Sequence, residues 1–341
     1  MKTNVCICGG GNLGHVVTGF VAARTEYEVC LLTRHPERWQ KSISVMRPDN
    51  LQPLIGTPSL ITDQPEEAVA GADVVVLCLP GFSIREMLTQ IRDYLKSDAI
   101  VGSVVSSTGF FFQAMDILPP SQPLFGLQRV PFIARTTAYG QEARIMGYKD
   151  SLAVAVAQTW RKEEIRRLCE MLFNTPTKLL DSHYEASLSN SNPLLHPSRL
   201  YSLWKDWTPG TVYERQPLFY EEWTEEAALL YINMDNELQA LLEKLPVKRG
   251  AIPTVLDYYE STDVASLARK LCSITAFKGI MAPMKAVEGG FVPDFGSRYF
   301  TEDFPYGLAI VRRLAQENGV PSPTVDRICE WGMDKVGTYN Q

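Results

Sequence analysis

The chain has 341 residues, 45% hydrophobic and 21% charged, with a formal net charge of −6. That length exceeds the usual single core and points to two domains, and the acidic balance speaks against a nucleic-acid partner. No apolar stretch is long enough to span a bilayer, and Lys2 alone before an early glycine loop does not form a signal peptide.

The first element is a buried strand over Val5 to Cys8. It is followed by Gly9-x-Gly11-x-x-Gly14 and by a helix beginning in "HVVTGFVAA". Strand, glycine loop and helix in that order are the setting a dinucleotide fingerprint needs. Gly9 allows a tight turn, Gly11 lets the backbone approach a pyrophosphate, and Gly14 lets the helix pack close to the strand. The first-turn amides, at Asn12 and Leu13, then face the phosphates along with the helix dipole.

The second strand, Tyr27 to Arg34, ends in Thr33-Arg34 and is followed by His35 and Arg38. An NAD-preferring protein commonly carries Asp or Glu there, for the ribose hydroxyls. No carboxylate occurs between Glu28 and Glu37. A guanidinium pairs a 2′-phosphate with two bonds, whereas an acid would repel it. The pattern favours NADP(H), with Arg34 as first contact and Thr33 and Arg38 as supports. NAD(H) stays open, with the two arginines then being solvated loop charges.

"ADVVVLCLP", Ala72 to Pro80, reads as a strand buried on both faces. A helix follows with Ile84, Leu88, Ile91 and Leu95 on one side, and then a strand from Ala99 to Ser107. Ligands in such sheets bind beyond the carboxyl ends of the strands, which places Leu79-Pro80 and Ser106-Ser107-Thr108 near the cofactor, unless they are ordinary turns. "DSLAVAVA" and "TPTKLLD" read as later strands of the same sheet, with "KEEIRRLCEMLF" as a helix between them. The domain boundary is expected near Leu180.

Beyond it the pattern becomes helical: Glu221 to Leu245, then "DVASLARKLCSITAFKGIM", then "PYGLAIVRRLAQENG" closed by Asn318-Gly319. The expected fold class is α/β: an N-terminal Rossmann dinucleotide-binding domain over residues 1–180, followed by an all-helical domain over 181–341. Seven scattered cysteines, odd in number, fit reduced thiols in a cytoplasmic protein. With four histidines and no clustered ligand motif, no metal site is expected. No heptad specifies an oligomer; helical second domains often pair, which leaves a homodimer open.

Two segments of the helical half carry candidate chemistry. "SNSNPLLHP" holds Asn190, Asn192 and His196, and histidine is the natural proton shuttle near neutral pH. A lone buried histidine is more often a satisfied core residue. "SRYFTEDFPYGL" holds Arg298, Glu302 and Asp303. Asp303 is placed to cap a helix, and a carboxylate has acceptor sites to spare for an imidazole as well. Arg298 suits a two-pronged pair with a substrate carboxylate, or else a surface ion pair.

With these residues in view, nearly the whole chain resembles the octopine/nopaline (opine) dehydrogenases. The resemblance rests on "GGGNLG", "LQRVPFIAR" (Leu127 to Arg135), "NPLLHP" and "SRYFTEDFPYGL"; "LLYINMDNELQALLEKL" is similar to the family's central helix, with Asp235 and Glu237. It implies that His196 is the acid/base, that Asp303 orients it, and that Arg298 helps hold the carboxylates. Asn192 matches an asparagine four residues before the histidine, and Gln128 an amide or acid near the substrate. Arg129 departs from the family pattern and bears on substrate charge. The implied reaction condenses a 2-oxo acid such as pyruvate with the amine of an amino acid, and NADPH reduces the imine. Two other readings remain. One is a ketopantoate-reductase-like reduction of a 2-oxo acid, which typically uses a lysine. The other is a non-catalytic NADP(H)-binding sensor.

Overall fold

The computed structural model describes residues 2–48 and 51–339. Its contacts divide the chain into two units, Met1–Ser187 and Leu188–Gln341. The division falls later than residue 180 because His183 and Tyr184 pack on Phe111 and Phe112, and Ser106 hydrogen-bonds the Ala186 carbonyl.

The first unit is built outward from β1 (Thr3–Cys8). Val5 and Ile7 enter the apolar cluster on one face of the sheet, while Cys6 and Cys8 enter the cluster on the other. A strand apolar on both sides belongs in the middle of a covered sheet. The chain continues through α1 (Asn12–Ala22), β2 (Tyr27–Leu32), β3 (Ile43–Met46), β4 (Leu54–Gly56), β5 (Leu60–Thr62), α2 (Pro65–Val69), β6 (Val74–Leu77) and α3 (Gly81–Ile91). Next come β7 (Ile100–Ser103), α4 (Phe110–Ile117), β8 (Leu124–Leu127), β9 (Phe132–Ala138), β10 (Glu142–Tyr148), β11 (Leu152–Ala157), α5 (Lys162–Phe173), β12 (Thr177–Leu179) and α6 (His183–Leu188). The eight-stranded sheet has the order β12-β11-β8-β7-β6-β1-β2-β5, parallel throughout except for β8 with β11. Strand order reverses between β1 and β6, so a ligand crevice belongs at their carboxyl ends.

A second sheet, β4-β3-β10-β9, was not anticipated. It explains why α1 is buried along most of its length: a Cβ on Gly19 would meet Val45 Cγ2 at 2.5 Å, and one on Gly56 would meet the Gly19 carbonyl at 2.2 Å. The Rossmann helix therefore lies between two sheets and needs glycine where backbone meets backbone.

The second unit is mainly helical: α7 (Asn192–Trp204), α8 (Glu225–Leu242), α9 (Val255–Tyr258), α10 (Val264–Ser273), α11 (Arg298–Thr301), α12 (Ala309–Glu317) and α13 (Pro323–Tyr339). A π-helical turn, Phe304–Leu308, joins α11 to α12. Helix α8 packs against α7, α10, α12 and α13. Two of its acids serve as caps: Asp235 accepts from the Val255 amide, and Glu237 accepts from the amides of Thr324 and Val325. Helix α10 stops at Ser273, short of the expected Met281, because Ile280 and Ala282 pair with the backbone of Phe219 and Pro217. A small hairpin, β13 (Met284–Val287) with β14 (Gly290–Pro293), adds strand to this half.

All seven cysteines are free, and five are buried. Among the described residues, no helix is long and apolar enough to cross a membrane, and no group of three or more His, Cys, Asp or Glu is placed to hold a metal.

Candidate active site

The glycine loop leaves β1 at its carboxyl end. Gly9 has φ +118°, and a Cβ there would meet the Cys78 carbonyl and Leu79 Cδ2, each at 2.8 Å. Leu79, just past β6, therefore borders the loop. A Cβ on Gly14 would lie 1.9 Å from the Gly9 carbonyl, so only glycine lets α1 start this close. Gly11 differs: its Cβ would meet nothing within 4 Å. The steric demand there comes from no protein atom, and the space stays open for a ligand.

Gly11 is the N-cap of α1, with no side-chain cap, and the first turn holds no acid. The amides of Asn12 and Leu13 thus lack helical acceptors and favour an anion. The Asn12 side chain is committed elsewhere, accepting from the Thr136 amide at 2.9 Å. A pyrophosphate fits what is left: open space above Gly11, uncapped amides and a positive helix end.

His15 fixes this loop from below. Its Nδ1 donates to the Gly11 carbonyl at 2.9 Å, and its Nε2 accepts from the Gly140 amide at 2.7 Å. It stacks on Trp39 with centroids 4.0 Å apart, and burial pulls its pKa below the ordinary histidine range. At the end of β2, Thr33 is buried, and a Cβ on Gly10 would sit 2.8 Å from its Oγ1. Arg34 and Arg38 are exposed; Arg38 stacks over Tyr139, 4.2 Å from the ring centroid. Among the described residues Arg34 makes no ion pair. Gln128 is half-buried just beyond β8, its backbone N–H donating to the Ala153 carbonyl at 2.9 Å.

In the second unit, Asn192 and His196 stand one helical turn apart on α7, so their side chains share a face. His196 is 6% exposed. Its Nδ1 lies 2.7 Å from Asp303 Oδ2, and its Nε2 lies 2.8 Å from the Tyr220 hydroxyl. Asp303 stands at the N-cap position of the π-helical turn but makes no capping bond; its carboxylate is turned to the imidazole instead. With Asp303 ionised, Nδ1–H donates to it, and Nε2 of the neutral ring accepts from Tyr220, an assignment that follows from the partners. Burial holds the Tyr220 phenol well above the usual tyrosine range, so it stays protonated.

Tyr220 and Tyr299 are the residues that sequence reading missed. Tyr299 packs its ring edge-on to His196 at 4.5 Å. The loop carrying Tyr220 is fixed by Arg199, whose buried Nε donates to the Phe219 carbonyl at 3.0 Å and whose pKa burial lowers to about 10. Glu222 secures the same loop by accepting from Arg215 and from the Leu218 amide, which hold its pKa down to about 2. The aromatic run "LFYEEW" was the only local signal. Arg298 is not drawn into the pair: its side chain is 81% exposed, 3.8 Å from Glu302 Oε1.

Residues 179–336 match the alpha-helical domain of NAD/NADP octopine/nopaline dehydrogenases, and residues 4–107 match a coenzyme F420-dependent NADP oxidoreductase family. Octopine dehydrogenase of Pecten maximus is 30% identical over 99% of this chain and 91% of its own length. A solved octopine dehydrogenase with NADH and L-arginine is 29% identical, covering 98% of this chain and 90% of that one, with a TM-score of 0.86. The same enzyme with NADH and pyruvate is 28% identical over the same shares, also with a TM-score of 0.86.

Proposed function

Because the chain belongs to the octopine/nopaline dehydrogenase family, we propose that it joins a 2-oxo acid to the amine of an amino acid and reduces the resulting imine with NAD(P)H. It is an NAD(P)-dependent oxidoreductase acting on a CH–NH bond, and its substrates are small molecules. The observation that carries the reading is the His196–Asp303 pair, 2.7 Å apart, with the imidazole buried on α7 and the carboxylate half-buried.

The cofactor's phosphates are assigned to the amides after Gly11, with Gly9, Gly14, Leu79 and Pro80 shaping the loop. When bound, the nicotinamide supplies the hydride. NADP(H) is the preferred form in this reading, since Arg34 is exposed at the end of β2 without an ion-pair partner among the described residues. His196 exchanges the proton that accompanies reduction, and Asp303 fixes its tautomer and balances the imidazolium. Asn192, Gln128 and Arg298 are assigned to substrate; Arg298 would turn its fork to a carboxylate. The reading extends to a cytoplasmic enzyme, in keeping with seven free thiols, that does not engage nucleic acid and that pairs as a homodimer, which sedimentation would test.

The deciding assay follows NADPH loss with pyruvate, with and without a panel of amino acids. Amine-dependent loss is expected. Loss with pyruvate alone would replace the reading with simple 2-oxo acid reduction.

A further inference from the structure

We propose that His15 is a positioning residue for the dinucleotide: bridging the Gly11 carbonyl and the turn of the β9–β10 hairpin, it holds the glycine loop in the shape that receives the pyrophosphate, and it does so only as a neutral ring. The inference rests on the assignment of the cofactor phosphates to the amides after Gly11. The hairpin lies outside the eight-stranded sheet, yet it reaches the loop at two points. Asn12 Oδ1 accepts from the Thr136 amide on β9 at 2.9 Å. His15 spans the other side, with Nδ1 2.9 Å from the Gly11 carbonyl and Nε2 2.7 Å from the Gly140 amide.

A carbonyl only accepts and an amide N–H only donates, so these partners admit one state of the ring: neutral, with its proton on Nδ1. The ring is not free to turn from them. It is fully buried, stacked on Trp39 at 4.0 Å and edge-on to Tyr139 at 4.9 Å. The turn is fixed as firmly. Gly140 has φ +72°, and a Cβ there would lie 2.1 Å from the Arg38 carbonyl. Its own carbonyl accepts from the Gln40 amide at 2.9 Å. Seated on the segment after β2, the Gly140 amide cannot follow a ring that changes its state. Hairpin turn, imidazole and glycine loop are thus braced together beside the open space at Gly11.

Protonation undoes the brace. An imidazolium carries N–H on both nitrogens, so Nε2–H would face the Gly140 N–H, donor against donor. The titratable and charged groups packed around the ring are Tyr139, from the hairpin turn, and, across that phenol, Arg38 from the segment after β2. Among the described residues no carboxylate pairs with His15. Nothing there balances a second positive charge, and burial keeps the imidazole neutral to below the ordinary histidine value. Cofactor affinity is therefore full while His15 is neutral and falls as the pH drops through its titration.

The test titrates the full-length protein with NADP+ by calorimetry between about pH 5 and 8. His15→Phe keeps a ring beside Trp39 and Tyr139 but removes both hydrogen bonds, and its affinity should fall about 10-fold, the scale of two lost hydrogen bonds. His15→Gln offers a donor and an acceptor that do not titrate. It should bind more tightly than His15→Phe and lose less affinity toward acid than the wild type. The 2′-phosphate titrates alike in both proteins, so the difference between the two profiles reports His15. Thermal melts establish that the variants are folded; if His15→Phe is not, the two pH profiles decide. A His15→Phe protein with wild-type affinity, or a His15→Gln protein with the full wild-type fall toward acid, overturns the proposal. Gly11→Ala separates it from the reading beneath it, since a Cβ there meets no protein atom within 4 Å and fills only the phosphate's space. If Gly11→Ala binds NADP+ as the wild type does, the phosphate assignment falls and the proposal with it. If it loses binding while both His15 variants keep theirs, only the role of His15 falls.

Discussion

Gly307 lies so close to Pro193 that a Cβ on the glycine would stand 2.6 Å from the proline Cγ. Pro193 opens α7 one turn before His196, and Gly307 sits in the π-helical turn that follows Asp303. The close approach of these two segments sets the reach between imidazole and carboxylate. Gly307→Ala should force them apart, costing about 1–3 kcal/mol as overpacking and lowering turnover while cofactor affinity holds. Melting temperature and kcat on one preparation check this; no change in either would mean the contact has slack.

His196→Gln should lower turnover roughly 100-fold or more, the range for general acid–base catalysis, and leave NADPH affinity intact. The glutamine keeps a polar side chain between Asp303 and Tyr220 but cannot shuttle the proton. Near-normal turnover in the folded variant would reduce His196 to a satisfied core histidine.

Arg34→Ala should weaken NADPH binding by about 1.5–3 kcal/mol, the scale of a charge-assisted hydrogen bond, and leave NADH nearly unaffected. Fluorescence titration of both cofactors decides it. Equal losses would sink the NADP preference, as would none.

Arg298→Lys should raise the KM for the 2-oxo acid, since an ammonium cannot reproduce the planar fork. Stability should barely move: the side chain is 81% exposed and its pairing with Glu302 is long, at 3.8 Å. A lowered melting temperature with unaltered kinetics would remove Arg298 from the site.

The pH dependence of stability has a predictable histidine component. Burial lowers the His183 pKa to about 4, and its ring packs on Phe111, Phe112 and Tyr184. The unfolded chain takes up the proton near pH 6.5, the folded chain only near 4. Its stabilising contribution is therefore full above 6.5, falls as pH drops from 6.5 toward 4, and is flat below. His183→Phe should shrink the acid-induced fall in melting temperature across that window. An equal fall in both proteins would refute the assignment.

The parallel sheet and its cofactor loop were legible because continuous apolar runs and a glycine spacing have few other readings. The second sheet was not, since its strands β3 and β4 are only four and three residues long, too short to show a period. The β13–β14 hairpin had only Gly289-Gly290 as a turn signal, inside a stretch expected to lack strands. His196 and Asp303 were readable through their segments. Tyr220 was not: its role depends on Arg199 and Ile280 holding a loop in place, which no local spacing encodes.

The buried thiols give this enzyme a stopwatch in each unit. Cys169 in the first unit and Cys329 in the second are both buried; burial pushes the first thiol upward and the second to about 11. Such sulfurs meet an alkylating reagent only while their surroundings are open, so labelling rates count openings rather than surface chemistry. With the cofactor assigned to the first unit, NADPH should lengthen the labelling half-life of Cys169 far more than that of Cys329. Mass spectrometry of the two peptides would then show, without any turnover assay, where on the chain the dinucleotide spends its binding energy.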